Sequence, residues 1–185
     1  MRLWLLCACA LAELLSAKAA SAQGGVYVLF TGANLDTTQT VPSTPATTPP
    51  TFTTSTTATK IYGPTIGFFG NLPMPVVKLG ADVRGSLLNG SGSQQYYAVA
   101  GPRIEVDLPK ISLHPYAEGL IGGGNYLSLA DTKTAFKVEY EFLVGADRKL
   151  IAILHWRILE FSYTKDLSGD IPTKALSSGL VLRFP

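Results

Sequence analysis

The chain has 185 residues, with 15 Lys or Arg against 13 Asp or Glu, which gives a formal net charge of +2 at pH 7. This near balance excludes a strongly basic surface of the kind that recruits nucleic acid. Charged residues make up only 15% of the chain, against roughly 25% in ordinary soluble domains. A low charge content is expected where much of a protein's outer surface touches lipid.

The first 22 residues have the features of a cleavable export signal. Arg2 supplies a short positive region, residues 3–15 are mainly apolar, and Ala20-Ser21-Ala22 places small residues at a cleavage site. A transmembrane helix is the alternative, but charged residues interrupt the run well short of the roughly 20 apolar residues that a helical span needs. We expect residues 1–22 to be removed and 23–185 to form one domain.

Both cysteines of the chain, Cys7 and Cys9, lie in this leader. The mature segment would therefore contain no disulfide and no thiolate metal site. No other residues suggest a metal or a cofactor, and we expect neither.

After the leader, apolar and polar residues alternate in units of about ten residues. The unit from 77 to 87 is the clearest: Leu79 and Val83 share one parity, while Asp82 and Arg84 occupy the other. Alternate residues of a strand face opposite sides of a sheet. Eight such units predict strands near residues 25–34, 60–71, 76–88, 95–108, 113–125, 137–148, 152–164 and 175–184. An even number of alternating strands is typical of an all-β, eight-stranded antiparallel up-and-down transmembrane barrel.

The predicted connections alternate in length. Three short turns, near residues 72–75, 109–112 and 149–151, all fall at one end of the barrel. The longer connections, near residues 35–59, 89–94, 126–136 and 165–174, fall at the other. Outer-membrane barrels have short periplasmic turns and longer external loops, so the pattern places both termini in the periplasm.

The first long connection has an unusual composition. Residues 36–59 contain twelve threonines and four prolines, with Asp36 as the only charged residue. Prolines remove backbone donors and the segment lacks apolar mass, which predicts a mobile external loop over 35–59. A sugar-bearing, mucin-like tract is the alternative that the same composition allows.

Aromatic residues are predicted near both ends of the strands. Towards the outer rim are Tyr62, Tyr96, Tyr97, Tyr126, Tyr140 and Tyr163, and towards the periplasmic rim are Phe69, Tyr116, Trp156 and Phe184. Two such belts are typical of the interfaces of a bilayer, where an aromatic body is buried and its polar group stays hydrated.

Charged side chains of both signs share the parity predicted to face inwards. They are Lys78, Asp82, Arg84, Arg103, Glu105, Asp107, Glu118, Lys137, Glu139, Glu141 and Asp147. An eight-stranded barrel is just wide enough for side chains to fill, so we expect a paired polar network rather than an open channel. A narrow solute channel remains the alternative. In the seventh strand Arg157 and Glu160 have opposite parity, so one of them is expected at a bulge or rim.

These residues resemble the OmpA-like, porin-type outer-membrane β-barrel domain family over nearly all of 23–185. The resemblance is carried by Leu79-Gly80-Ala81-Asp82-Val83-Arg84, Gly145-Ala146-Asp147-Arg148, Trp156-Arg157 and the final Leu180-Val181-Leu182-Arg183-Phe184. It implies a terminal strand that is read by the barrel assembly machinery. The chain departs from the family pattern in ending with Pro185 after the terminal aromatic residue.

Candidate catalytic residues are few. His114, His155, Glu160 and Ser162 are the ones available, but a working site needs a nucleophile and a base within hydrogen-bond reach. The predicted strands place both histidines near periplasmic ends and Ser162 towards the outer end, and no Gly-x-Ser-x-Gly turn occurs. We therefore predict no enzymatic activity.

The sequence thus favours a small outer-membrane barrel, expected to be monomeric, with a structural or surface-interaction role. Its predicted partners are the lipid bilayer and, during biogenesis, the assembly machinery, with no nucleic acid and a surface partner left open. A soluble periplasmic barrel that binds a small apolar ligand is the main alternative, with the apolar parity turned inwards.

Overall fold

A computed structural model describes residues 23–42, 52–72, 74–90, 92–128, 131–167 and 172–184. The predicted export signal and Pro185 lie outside the described residues. Within them, no helix has both the length and the apolar character needed to cross a membrane.

The described residues form eight β-strands. Their bounds are β1 (Gln23–Pro42), β2 (Phe52–Asn71), β3 (Val77–Gly90), β4 (Ser93–Val106), β5 (Leu113–Ser128), β6 (Asp131–Ile151), β7 (Leu154–Asp166) and β8 (Thr173–Phe184). Each strand pairs antiparallel with the next, and β8 pairs with β1 to close the barrel. The prediction of a closed eight-stranded antiparallel barrel is confirmed.

The barrel is apolar outside and polar inside. Leu79 and Val83 are 45% and 38% exposed, whereas their neighbours Asp82 and Arg84 are 0% and 3% exposed. The same alternation holds along the other strands wherever their side chains are described, except in β7 between Arg157 and Glu160, since a strand turns successive side chains to opposite faces. The charged parity therefore fills the lumen, and the apolar parity forms the outer wall.

The first residue of β1 and the last residue of β8 lie at one end of the barrel, which we call the terminal mouth. The turns after β2, β4 and β6 lie at the same end. The last of these is only two residues long, and Ala152 within it has a positive φ of 31°. The opposite end is called the distal end.

The distal connections differ from those predicted. Only two residues separate β3 from β4, and only two separate β5 from β6, so the predicted longer connections at 89–94 and 126–136 are wrong. The predicted loop at 35–59 is also wrong for 35–42 and 52–59, which are paired strand. Its centre, 43–51, lies outside the described residues. Threonine is β-branched and fits paired strands well, so its abundance here extends a hairpin instead of preventing one.

Candidate functional site in the barrel lumen

Four guanidinium groups and four carboxylates in the lumen form one closed circuit of hydrogen bonds, which we call the ion-pair ring. Six consecutive strands, β3 to β8, contribute its members. In order round the circuit they are Arg84, Glu160, Arg157, Asp147, Arg183, Glu105, Arg103 and Glu118.

The first half of the ring is centred on two arginines from neighbouring strands. Arg84 donates from Nη1 to Glu160 Oε1 at 2.7 Å and from Nη2 to Glu118 Oε2 at 3.1 Å. Arg103 donates to the other oxygen of Glu118, and from Nη2 to Glu105 Oε2 at 2.8 Å. Glu118 therefore bridges two guanidinium groups.

The second half repeats this arrangement. Arg157 donates from Nε to Asp147 Oδ1 at 2.8 Å and from Nη1 to Glu160 Oε2 at 2.9 Å. Arg183 donates from Nη1 to Glu105 Oε1 at 2.7 Å and from Nη2 to Asp147 Oδ2 at 2.9 Å. Every carboxylate in the ring is therefore shared by two arginines.

Three aromatic rings lie against the guanidinium groups. The Cζ of Arg103 is 4.2 Å from the ring centroid of Phe69 and 3.9 Å from that of Tyr116. The Cζ of Arg157 is 4.3 Å from the centroid of Tyr27 and 4.6 Å from that of Tyr116. Desolvated contacts of this kind stabilise a cation by up to about 2 kcal/mol. Guanidinium groups and aromatic rings together fill the centre of the lumen.

This packing corrects part of the predicted aromatic belts. Phe69, Tyr116 and Tyr97 were predicted at the lipid interfaces, but all three are buried and face inwards. Tyr62 and Trp156 do face outwards. The side chain of Tyr126 lies outside the described residues. The inward-facing rings supply apolar and quadrupolar contacts to the charged centre instead of anchoring the barrel in a bilayer.

Tyrosine hydroxyls extend the network beyond the ring. Tyr116 donates to Glu160 Oε2 at 2.6 Å, and Tyr27 donates to Asp82 Oδ1 at 2.7 Å. Asp82 also lies 3.6 Å from Arg84 Nε. The Tyr116 hydroxyl thus adds a donor to an oxygen that Arg157 also binds, and the Tyr27 hydroxyl supplies a hydrogen bond to the buried Asp82, as buried charged groups require.

A β-bulge brings both Arg157 and Glu160 into the lumen. The register of β7 against β8 shifts between these two residues, and the register of β6 against β7 shifts between Ala146 and Asp147. The extra residue changes the phase of the strand, so two positions of opposite parity reach the same side. Neither residue sits at a rim, and both complete the ion-pair ring.

The predicted interior residues divide between the ring and the two ends of the lumen. In the ring are Arg84, Arg103, Glu105, Glu118 and Asp147, with Asp82 beside it. Lys78 pairs with Asp107 at 3.1 Å near the terminal mouth. Towards the distal end, Lys137 pairs with Asp166 at 2.7 Å, and Glu139 and Glu141 are fully buried.

Arg183 is the ring member that the sequence analysis did not place in the lumen. Its parity is opposite to that of the outward-facing Leu182, and that signal alone would have assigned it inwards. Asp166 was missed for a different reason, because the predicted strand ends at residue 164 whereas the observed β7 continues to Asp166.

The candidate catalytic residues are not assembled. His155 and Ser162 are seven positions apart on β7, which corresponds to about 23 Å along a strand, and Glu160 is engaged in the ring. His114 lies beside His155, with 5.3 Å between ring centroids, at the terminal mouth. A nucleophile and base in hydrogen-bond contact do not occur among these four residues.

No protein-family model and no curated protein sequence matches the chain. Solved structures do match. Neisserial surface protein A superposes with a TM-score of 0.50 at 13% identity, with 86% of this chain and 97% of that one covered. The chain has the fold of a small outer-membrane barrel.

Two further structures agree with this fold. The attachment invasion locus protein Ail of Yersinia pestis, in complex with the heparin analogue sucrose octasulfate, has a TM-score of 0.50 at 10% identity over 88% of this chain and 99% of that one. The N-terminal β-barrel domain of Pseudomonas aeruginosa OprF has a TM-score of 0.51 at 11% identity over 89% and 100%. At these identities the likeness concerns the fold.

Proposed function

We propose that the chain is a monomeric outer-membrane β-barrel with a structural or surface-interaction role and with a lumen closed to solutes. The observation that carries this proposal is the inverted distribution of polarity. Large apolar side chains such as Phe30, Ile66 and Phe142 are 66%, 58% and 59% exposed, while the ion-pair ring is buried. In water this arrangement would leave apolar surface exposed all round the barrel, whereas a bilayer covers it.

The closed strand order supports the same location. Every strand of the barrel wall is paired on both sides, so no backbone edge would face hydrocarbon. With the predicted export signal, the chain would reach the periplasm and be inserted by the barrel assembly machinery. The soluble, ligand-binding alternative requires apolar residues inside and charged residues outside, which is the reverse of the arrangement described above.

Location can be tested by fractionation and gel mobility. The protein should stay with outer membranes through a high-salt wash, and the unboiled form should migrate differently from the boiled form in detergent gels. Recovery in the soluble periplasmic fraction would overturn the proposal.

The ion-pair ring supports a closed lumen. Its guanidinium groups and aromatic rings occupy the centre of a barrel that is only wide enough for side chains. Proteoliposomes containing the protein should therefore not swell in isotonic solutions of small sugars. Swelling with a small sugar, and not with a larger one, would instead favour the narrow-channel alternative.

The distal end supports a role in surface interaction. Residues 36–42 pair with 52–58 and, among the described residues, with no other strand. We call this two-stranded projection the distal ribbon. Seven residues of strand extend about 24 Å, far enough to reach beyond the barrel wall. Two proteins of the same fold are named as a surface protein and as an attachment invasion locus protein, in keeping with such a display role.

The orientation and role of the distal ribbon can be tested on intact cells. An epitope inserted between its two strands should be labelled by antibody without permeabilisation, and labelling only after permeabilisation would reverse the proposed orientation. Replacing residues 37–57 by a short Gly/Ser turn should leave the gel shift intact, because the ribbon pairs with no other strand of the described residues. Loss of the gel shift would show that the ribbon is needed for folding.

A further inference from the structure

A polar cavity lies at the terminal mouth, on the other side of the ion-pair ring from the distal ribbon. Its volume is about 320 Å³, which is within the range of small-molecule sites. We call it the mouth cavity. Its polar lining includes three cations, two imidazoles and one carboxylate: Lys78, Lys149, Arg183, His114, His155 and Asp107.

Three nitrogen atoms of residues that line the mouth cavity, His114 Nδ1 among them, are buried without a hydrogen-bond partner among the described residues. His155 is 5% exposed, and its Nδ1 is buried without a hydrogen bond to any described residue. The Nε of Arg183 is likewise buried without a partner, although its two Nη atoms are bound in the ion-pair ring. Buried polar atoms are normally satisfied, so an acceptor in the cavity would complete both groups.

A carboxylate lies beside the second imidazole. Asp107 Oδ1 lies 3.1 Å from His114 Nδ1 without hydrogen-bond geometry, and its other oxygen accepts a hydrogen bond from Lys78. The remaining exposed cation, Lys149, has its ammonium group free to meet a ligand at the cavity entrance, since no ion pair of Lys149 is found among the described residues.

Charges of both signs face the two imidazoles from the surrounding strands. They are Lys78, Lys149 and Arg183 on one side and Glu105, Asp107 and Asp147 on the other. Glu105 and Asp147 are each shared by two arginines of the ion-pair ring, so they do not cancel the charge of Lys149, which an anion in the cavity would meet.

We propose that the mouth cavity binds an oxyanion, a carboxylate or a phosphate group, between His155, Arg183 and Lys149. Charge-assisted hydrogen bonds from these donors to anionic oxygen are the contacts the site can make. The anion can come from a small soluble molecule or from the headgroup of an acidic phospholipid. Ile153 and Phe184, each 47% exposed at the rim, would lie beside the hydrocarbon part of a lipid.

The two histidines give a direct measurement, because the chain contains no others. The folded barrel in detergent micelles, with ¹⁵N-labelled imidazoles, is titrated with inorganic phosphate at one fixed pH near neutrality. In a second arm it is reconstituted in vesicles of phosphatidylglycerol or of phosphatidylcholine. Phosphate alone should shift both imidazole signals. A shift only in phosphatidylglycerol vesicles would identify the lipid headgroup as the source of the anion.

Matched variants separate this site from general charge effects. Lys149→Gln should weaken binding about tenfold, as expected when one charged hydrogen bond is lost, and His155→Gln should weaken it similarly while the gel shift stays intact. Lys174→Gln removes an exposed cation at the distal end and should change nothing. The proposal is wrong if neither phosphate nor phosphatidylglycerol moves the imidazole signals, or if Lys174→Gln weakens binding as much as Lys149→Gln.

Discussion

Breaking the ion-pair ring at Arg84 should strongly destabilise the barrel. Arg84→Met removes the donor shared by Glu160 and Glu118, whose carboxylates are essentially unexposed. Removing one partner of a buried pair costs about 3–5 kcal/mol, because the remaining charge stays buried without compensation. Methionine keeps much of the arginine's length, so the cost reflects charge more than a cavity. We therefore expect a loss of about 3–5 kcal/mol in the free energy of unfolding.

The measurement is urea unfolding of the barrel in lipid vesicles, followed by tryptophan fluorescence. The chain has two tryptophans, Trp4 in the predicted leader and Trp156 on β7, so the mature chain would carry a single reporter. Adding Glu160→Gln to Arg84→Met should cost less than the sum of the two single changes, with a coupling of about 1–3 kcal/mol. Lys174→Met, at an exposed distal site, is the control and should be additive with Arg84→Met. A cost below about 1 kcal/mol for Arg84→Met, or full additivity with Glu160→Gln, would refute the ring as a coupled unit.

Two further predictions test the wall and the filling of the barrel. Val83→Arg places a charge on the outer wall and should lower the free energy of unfolding by about 2–4 kcal/mol if that face meets the middle of a bilayer. A single cysteine at position 83 should react with lipid-soluble reagents, and a single cysteine at position 82 should not. The opposite labelling would mean that the two faces are reversed. Gly67→Ala should lower the free energy of unfolding by about 1–3 kcal/mol, because the added Cβ would lie 2.4 Å from the Tyr27 hydroxyl and 2.7 Å from a backbone oxygen. Gly70→Ala is the control: a Cβ at Gly70 has nothing within 4 Å, so this variant should be close to neutral. Equal unfolding free energies for the two glycine variants would contradict the close packing of Tyr27.

Period-two alternation was enough to predict the number of strands and which side chains face inwards. It placed Asp82 and Arg84 correctly because regular strands keep one phase over their whole length. It could not resolve Arg157 and Glu160, since a bulge shifts that phase and is defined by the partner strand, not by local sequence. Tyr116 has the same parity as the inward-facing Glu118, which indicates that it faces inwards. Its position near a strand end suggested a lipid interface instead, and that predicted location of Tyr116 was wrong.

The closure of the ion-pair ring depends on register between distant strands and could not be predicted. Glu105 and Arg183 are 78 residues apart in the sequence and meet only when the barrel is complete. The distal ribbon shows a different limit. Threonine and proline are common in loops, yet threonine also suits paired strands, so composition could not tell an open loop from a two-stranded ribbon.

The placement of the charges follows from the route that an exported barrel has to take. A strand with apolar residues on both its lipid face and its lumen face would be a continuous apolar run in the sequence. Long runs of this kind insert as transmembrane helices into the first membrane they meet. Inward charges such as Asp82 and Arg84 interrupt each run, so no segment of the mature chain would be retained. Those charges must then be buried in the folded barrel, where single ions cost several kcal/mol each. A circuit in which every carboxylate is shared by two guanidinium groups meets both requirements. It is complete only when the strands from β3 to β8 curl far enough to bring Arg183 on β8 to Glu105 on β4.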